Sequence, residues 1–108
     1  MKILIVEDSE ERIEKIKSWF KGDDVRVSPT ARNAIGEIYD QNFGIIFLDY
    51  DFGENRPTGR LVAQYLAENH YPFRVIIHSM NPVGAREMKH TLPHAEIIPY
   101  NKLVEMVW

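Results

Sequence analysis

Three short runs dominated by large apolar residues, each closed by polar residues, set the pattern of this chain. They are Ile3-Leu4-Ile5-Val6 before Glu7-Asp8, Ile45-Ile46-Phe47-Leu48 before Asp49, and Arg74-Val75-Ile76-Ile77 before His78-Ser79. A short run of large, mostly β-branched residues reads as a strand buried on both faces, as in a parallel sheet. Val25-Arg26-Val27 and Glu96-Ile97-Ile98-Pro99 are shorter strands, the second halted by Pro99. Between them the spacing is helical. Ser9 caps a helix carrying Glu10 and Glu11 in its first turn and Ile13, Ile16 and Phe20 (with Trp19) on one face, with Gly22 just past its end. Thr30 caps a second helix on which Ala31, Ala34, Ile35, Ile38 and Tyr39 form the apolar face, with Gly36 inside it and Asn42 closing it. Thr58 opens a third, with Leu61, Val62, Tyr65 and Leu66 turned inward, and Pro72 bars its continuation. Asn81-Pro82 is an N-cap and first-turn pair for a fourth helix reaching about His90. Tyr100 to Trp108 leave room for at most about two turns.

Alternation of strand and helix predicts an α/β fold: a doubly wound, five-stranded parallel sheet with right-handed crossovers and a truncated last helix. The common strand order is 2-1-3-4-5, with its topological switch point between the first and third strands. That order makes neighbours of the first, third and fourth strand ends. Glu7, Asp8, Asp49, Asp51, His78, Ser79 and Asn81 then converge on one rim. Asp, Asn and Ser are ordinary turn residues, but turn chemistry does not account for their meeting at three adjacent strand ends.

The rim is chemically legible. Clustered carboxylates repel unless a cation or protons intervene, and oxygen donors without Cys favour a hard cation, Mg²⁺, held by Asp49 and Asp8 with Glu7 or Asp51. His78 is placed either as a general acid or base or as a strand-end cap. Ser79 offers a hydroxyl to a phosphate. Asn81 is first a helix cap, and the helix it opens favours an anion. The catalytic candidates are Asp49, His78 and Ser79; the phosphate-binding candidates are Ser79 and Asn81. His70, His90 and His94 read as surface or turn residues, and Arg56, Arg60 and Lys102 as solvated cations.

Composition narrows the partners. The 108 residues suit one domain, 1–108, with 44% hydrophobic and 27% charged residues as in an ordinary globular protein. A net charge of −3 argues against an extended groove for duplex nucleic acid but permits contact with one phosphate-bearing end. With no Cys, disulfides, thiolate zinc sites and a cysteine nucleophile are excluded, which fits a cytoplasmic location. The first apolar run is too short for a signal peptide or membrane span, so no membrane association is expected.

Over nearly its whole length the chain resembles a response-regulator receiver domain, a flavodoxin-like fold. Glu7-Asp8 match the receiver acid pair, Asp49 the phospho-accepting aspartate and Ser79 the Ser/Thr of the fourth strand. The resemblance implies Mg²⁺ held by those acids and by the backbone carbonyl of residue 51. Receivers carry a Lys before the last Pro, where this chain has Ile98, and an aromatic switch residue where it has Ala95. A narrower resemblance, carried by Leu48-Asp49-Tyr50-Asp51-Phe52-Gly53, Thr58-Gly59 and Ile76-Ile77-His78-Ser79-Met80-Asn81-Pro82-Val83-Gly84-Ala85, is to the cyclic-phosphate processing receivers. That family usually has His where this chain has Tyr50. It implies metal-assisted phosphoesterase action on cyclic phosphates of small molecules or RNA ends. Two alternatives stand beside it: a receiver phosphorylated on Asp49 in a phosphorelay with a signalling protein partner, and a non-catalytic adaptor.

Overall fold

In the computed structural model, which describes residues 1–108, the three apolar runs and the two shorter segments become five parallel strands: β1 (Lys2–Val6), β2 (Asp24–Ser28), β3 (Ile45–Leu48), β4 (Arg74–Ile77) and β5 (Glu96–Ile97). Their order is β2-β1-β3-β4-β5, as the alternation requires. The helices are α1 (Glu10–Lys17), α2 (Ala31–Asp40), α3 (Gly59–Glu68), α4 (Pro82–Thr91) and a single-turn α5 (Tyr100–Leu103). Successive strand residues point to opposite faces, and this splits the core in two. Leu4, Val6, Ile46, Leu48, Val75 and Ile77 pack under α2, α3 and α4. Ile3, Ile5, Ile45, Phe47 and Ile76 pack under α1 and α5 with Ile16, Phe20 and Leu103.

The predicted caps hold, and several helix and strand ends differ. Ser9, Thr30, Thr58 and Asn81 each accept a backbone N–H of the first turn they open. Helix α1 ends at Lys17, and Gly22 (φ 95°) instead serves the turn into β2. Asp40 is the last residue of α2, with Gln41 rather than Asn42 as its cap. Tyr39, placed on the apolar face by spacing, is 77% exposed, because that face is filled by Ala31, Ala34 and Ile38. Strand β5 is confined to Glu96–Ile97, and both its side chains are exposed. No helix is long and apolar enough to cross a membrane.

Beyond the single-turn α5, Trp108 adds to the cover of the β3 aromatic Phe47. Its ring lies 5.5 Å from Phe47, 5.9 Å from Phe20 and 6.2 Å from Trp19 between centroids, with the Arg74 guanidinium 5.6 Å over it. Trp108→Ala is expected to lower the free energy of unfolding by about 2–3 kcal/mol, at or below the foot of the roughly 3–5 kcal/mol range for a fully buried aromatic, because the residue is only partly buried. Urea denaturation reads it directly; a change below about 0.5 kcal/mol, the scatter of surface substitutions, would mean the ring packs there without stabilising the fold.

Candidate functional site

Register builds the site. Val6, Leu48 and Ile77 are aligned across β1, β3 and β4, so the next residues, Glu7, Asp49 and His78, stand side by side. The ladder extends to them: Asp49 N–H donates to the Val6 carbonyl at 3.0 Å and His78 N–H to the Leu48 carbonyl at 3.1 Å. Because Val6, Leu48 and Ile77 face α2–α4, alternation turns the next three side chains to the α1 side. A carboxylate oxygen of each acid and a ring nitrogen of His78 lie within 4.8 Å of one another, and all three residues are buried. Glu7 and Asp49 thus bring carboxylate oxygens to one buried spot, a donor pair that could hold a hard divalent cation, with His78 tied to Glu7 rather than counted as a ligand.

Glu7 is heavily committed within the fold. Its Oε1 accepts from His78 Nε2 at 2.9 Å, and its Oε2 accepts the Asp8 and Ser9 N–H groups at 3.0 and 3.1 Å. Burial alone would raise its pKa; the His78 hydrogen bond and charge, the Ser9 N–H and the Arg12 guanidinium outweigh it and hold Glu7 below its ordinary value. Glu7 is therefore a carboxylate, and the shared proton sits on His78 Nε2. His78 has no exposed surface, and its Nδ1 meets no hydrogen-bond partner in the fold. Asp49 carries the opposite shift. Burial first, then the charge of Glu7, push it up to about 6, with His78 opposing. A cation beside Asp49 would relieve that strain, which is a second sign that the donor set fits one.

Asp8 and Asp51, the other two expected metal ligands, are exposed and lie outside this cluster. Burial and the charge of Glu7 nonetheless raise the Asp8 pKa. Asp51 accepts from Asn81 Nδ2 at 3.3 Å. Ser79 is buried, and its Oγ accepts the Asn81 N–H at 3.1 Å, while Asn81 Oδ1 caps α4 through the Gly84 N–H at 3.1 Å. Asn81 thus ties the β4 end to the loop after β3. Two glycines let that loop close. A Cβ on Gly59 would stand 1.9 Å from the Asp49 carbonyl oxygen, and one on Gly84 would stand 2.4 Å from the Tyr50 ring. Tyr50 therefore lies against the first turn of α4, and Phe52 is buried in the core.

Arg12 and Tyr100 join the site without having been singled out in the sequence. The Arg12 guanidinium lies 3.7 Å from Glu7 Oε1 and 4.9 Å from the centre of the Tyr100 ring. Tyr100 is tied to the β4 end by its N–H, which donates to the His78 carbonyl at 2.9 Å. The available signal was position: Arg12 is the first basic residue of the helix that follows the acid pair. Arg56, Arg60 and Lys102 are exposed, and Arg60 pairs with Glu87 at 3.5 Å.

A parallel sheet with acids on its central strand ends defines the class, a receiver-fold domain. The family model of the cyclic-phosphate processing receiver domain matches residues 2–94, and the chain belongs to that family. Solved structures agree on the fold. A CheY-like receiver domain from Methanospirillum hungatei is 18% identical, with a TM-score of 0.76 over 96% of this chain and 87% of that one. The response regulator TrrA from Thermotoga maritima, in complex with Mg²⁺ and BeF, is 16% identical with a TM-score of 0.70 over 93% and 88%. The Mn²⁺-bound form of response regulator Rcp1 is 17% identical with a TM-score of 0.72 over 97% and 87%. No curated protein matches. At these identities the likeness concerns the fold alone.

Proposed function

We propose that this chain is a metal-assisted phosphoesterase that binds and opens a cyclic phosphodiester, such as the cyclic phosphate of an RNA end, over Asp49. The observation that carries the reading is the buried Glu7–His78 pair beside an Asp49 shifted to about 6. Groups of opposed protonation preference within reach of one another are what general acid–base chemistry needs. Asp49 with Glu7, and Asp8 and Asp51 from the rim, would hold Mg²⁺, which when bound polarises a phosphoryl oxygen and acidifies water. Ser79 and the α4 N-terminus opened by Asn81 hold phosphate oxygens. Hydrolysis adds the water oxygen to phosphorus, breaks one ring P–O bond and carries the water proton to the departing oxygen. The Glu7–His78 pair, joined through His78 Nε2 beside Asp49, holds that proton between the two events.

Nucleoside cyclic phosphates with Mg²⁺ test this. Wild type is expected to hydrolyse them, and His78→Ala to be slower by about a hundredfold. Equal rates remove His78 from the mechanism, and no turnover by wild type sinks the hydrolytic reading. A second reading is supported by the place of Asp49, at the end of β3 between Glu7 and His78 in a fold shared with response regulators. In it Asp49 accepts a phosphoryl group and alters affinity for a signalling partner. Incubation with a small-molecule phosphodonor and Mg²⁺, followed by intact mass, separates the two: a stable adduct absent in Asp49→Asn favours the second.

A further inference from the structure

We infer that Arg12 is the anion-contacting cation of this site, its guanidinium fork gripping the phosphoryl oxygens of an ester bound over Asp49. The inference rests on the phosphate-processing reading above and names a residue that does the gripping. Bringing a phosphate to two buried carboxylates adds like charge to like charge, and a metal ion neutralises only part of it. A second cation is needed close by, and Arg12 is the one in place. It sits in the first turn of α1, its own N–H donating to Ser9 Oγ at 3.4 Å, directly after the loop that carries Glu7 and Asp8.

What sets Arg12 apart from an ordinary solvated arginine is that it is held but not spent. The Tyr100 ring backs the flat face of the guanidinium at 4.9 Å, and Glu7 attracts it at 3.7 Å, beyond hydrogen-bond length. Tyr100 is anchored to the His78 carbonyl and His78 to Glu7, so Arg12, Tyr100, His78 and Glu7 close a ring of contacts around the acid cluster. None of the guanidinium N–H groups, a planar fork that fits phosphate in bidentate fashion, donates to a protein oxygen. Its side chain is 30% exposed, and no protein acceptor occupies the fork. Of the other cations on this side of the sheet, Arg60 pairs with Glu87 and Arg86 lines a separate pocket with Ser79 and Met80, and no ion pair joins Arg56, Arg60, Arg86 or Lys102 to Glu7 or Asp49, so Arg12 is the one that reaches the acid cluster.

The test titrates Mg²⁺-loaded protein with inorganic phosphate and measures Mg²⁺ affinity separately. Arg12→Gln is expected to weaken phosphate binding by about 10- to 100-fold, the range for a charge-assisted hydrogen bond. The same variant is expected to bind Mg²⁺ as tightly as wild type or more tightly, because a positive charge beside the carboxylates has gone. Arg12→Lys, which keeps the charge and loses the fork, is expected to fall between. Equal phosphate affinity in wild type and Arg12→Gln overturns the inference, as does a parallel loss of Mg²⁺ and phosphate, the mark of a purely structural role. If Arg12→Gln does not fold, wild type decides by NMR: the Arg12 Nε–H signal moves with phosphate, or its immobility overturns the inference. Phosphate binding at Arg12 without turnover of cyclic phosphates would keep this inference and sink the hydrolytic reading.

Discussion

Glu7→Ala is expected to lower the free energy of unfolding by about 3 kcal/mol, a large share of the roughly 5–15 kcal/mol typical of a whole domain. Three donors lose their acceptor at once: His78 Nε2 and the Asp8 and Ser9 N–H groups. The imidazole is fully buried and cannot turn to water, so its loss is the costly one. Removing a partner from a buried, hydrogen-bonded pair costs about 3–5 kcal/mol. Relief of Asp49, whose pKa Glu7 helps to raise, offsets part of that and places the expectation at the lower end. Glu7→Gln keeps an acceptor for His78 and should lose less. Urea titrations of the three proteins measure the series. If Glu7→Ala proves no less stable than Glu7→Gln, the buried link does not hold β1 to β4.

The second large effect concerns Asp49 and runs in the opposite direction. Burial and the Glu7 charge raise its pKa from 3.8 to about 6. With the folded value above the unfolded one, the native state binds more protons between those limits. The contribution of Asp49 to stability is therefore full below pH 3.8 and lost as pH rises through about 6. By neutral pH its ionised form costs up to about 3 kcal/mol, from a shift of about two units at 1.36 kcal/mol each. Asp49→Asn should accordingly be more stable than wild type at pH 7.5, roughly its value, with the gap closing as pH falls toward about 4. Added Mg²⁺ should raise the wild-type Tm at the higher pH and leave Asp49→Asn unmoved, because a bound cation removes the same penalty. A pH-independent gap, or a variant less stable than wild type at neutral pH, would contradict the cost assigned to burying this charge.

The two acids next to each other in sequence, Glu7 and Asp8, show where reading the chain ends. Both were legible as members of a polar rim, and so were Asp49, His78, Ser79 and Asn81. Composition does not say which acid turns inward. Strand register does: Glu7 stands level with Asp49 and His78 and shares their face, while Asp8 is exposed. The same logic separates His78 from a rim histidine. Its position after Ile77 was visible, but its pairing with Glu7, 71 residues away, depends on β3 lying between their strands. Nothing local marks Arg12 out, because α1 carries three acids and three bases in alternation with its apolar positions. The meaning of Arg12 comes from Tyr100, which α5 brings opposite it.

By itself, the sequence determined the strands, the caps of four helices, the α/β order and the rim on which polar residues gather. These depend on local quantities: apolar periodicity, capping side chains and the place of proline. The tertiary structure decided which polar residues are buried together, that Trp108 packs on Phe47 beyond α5, and that Arg12 stands beside Glu7. Those outcomes depend on register and on how helices lean across the sheet. Such relations join residues far apart in the chain, and only the packed fold brings them within reach of one another.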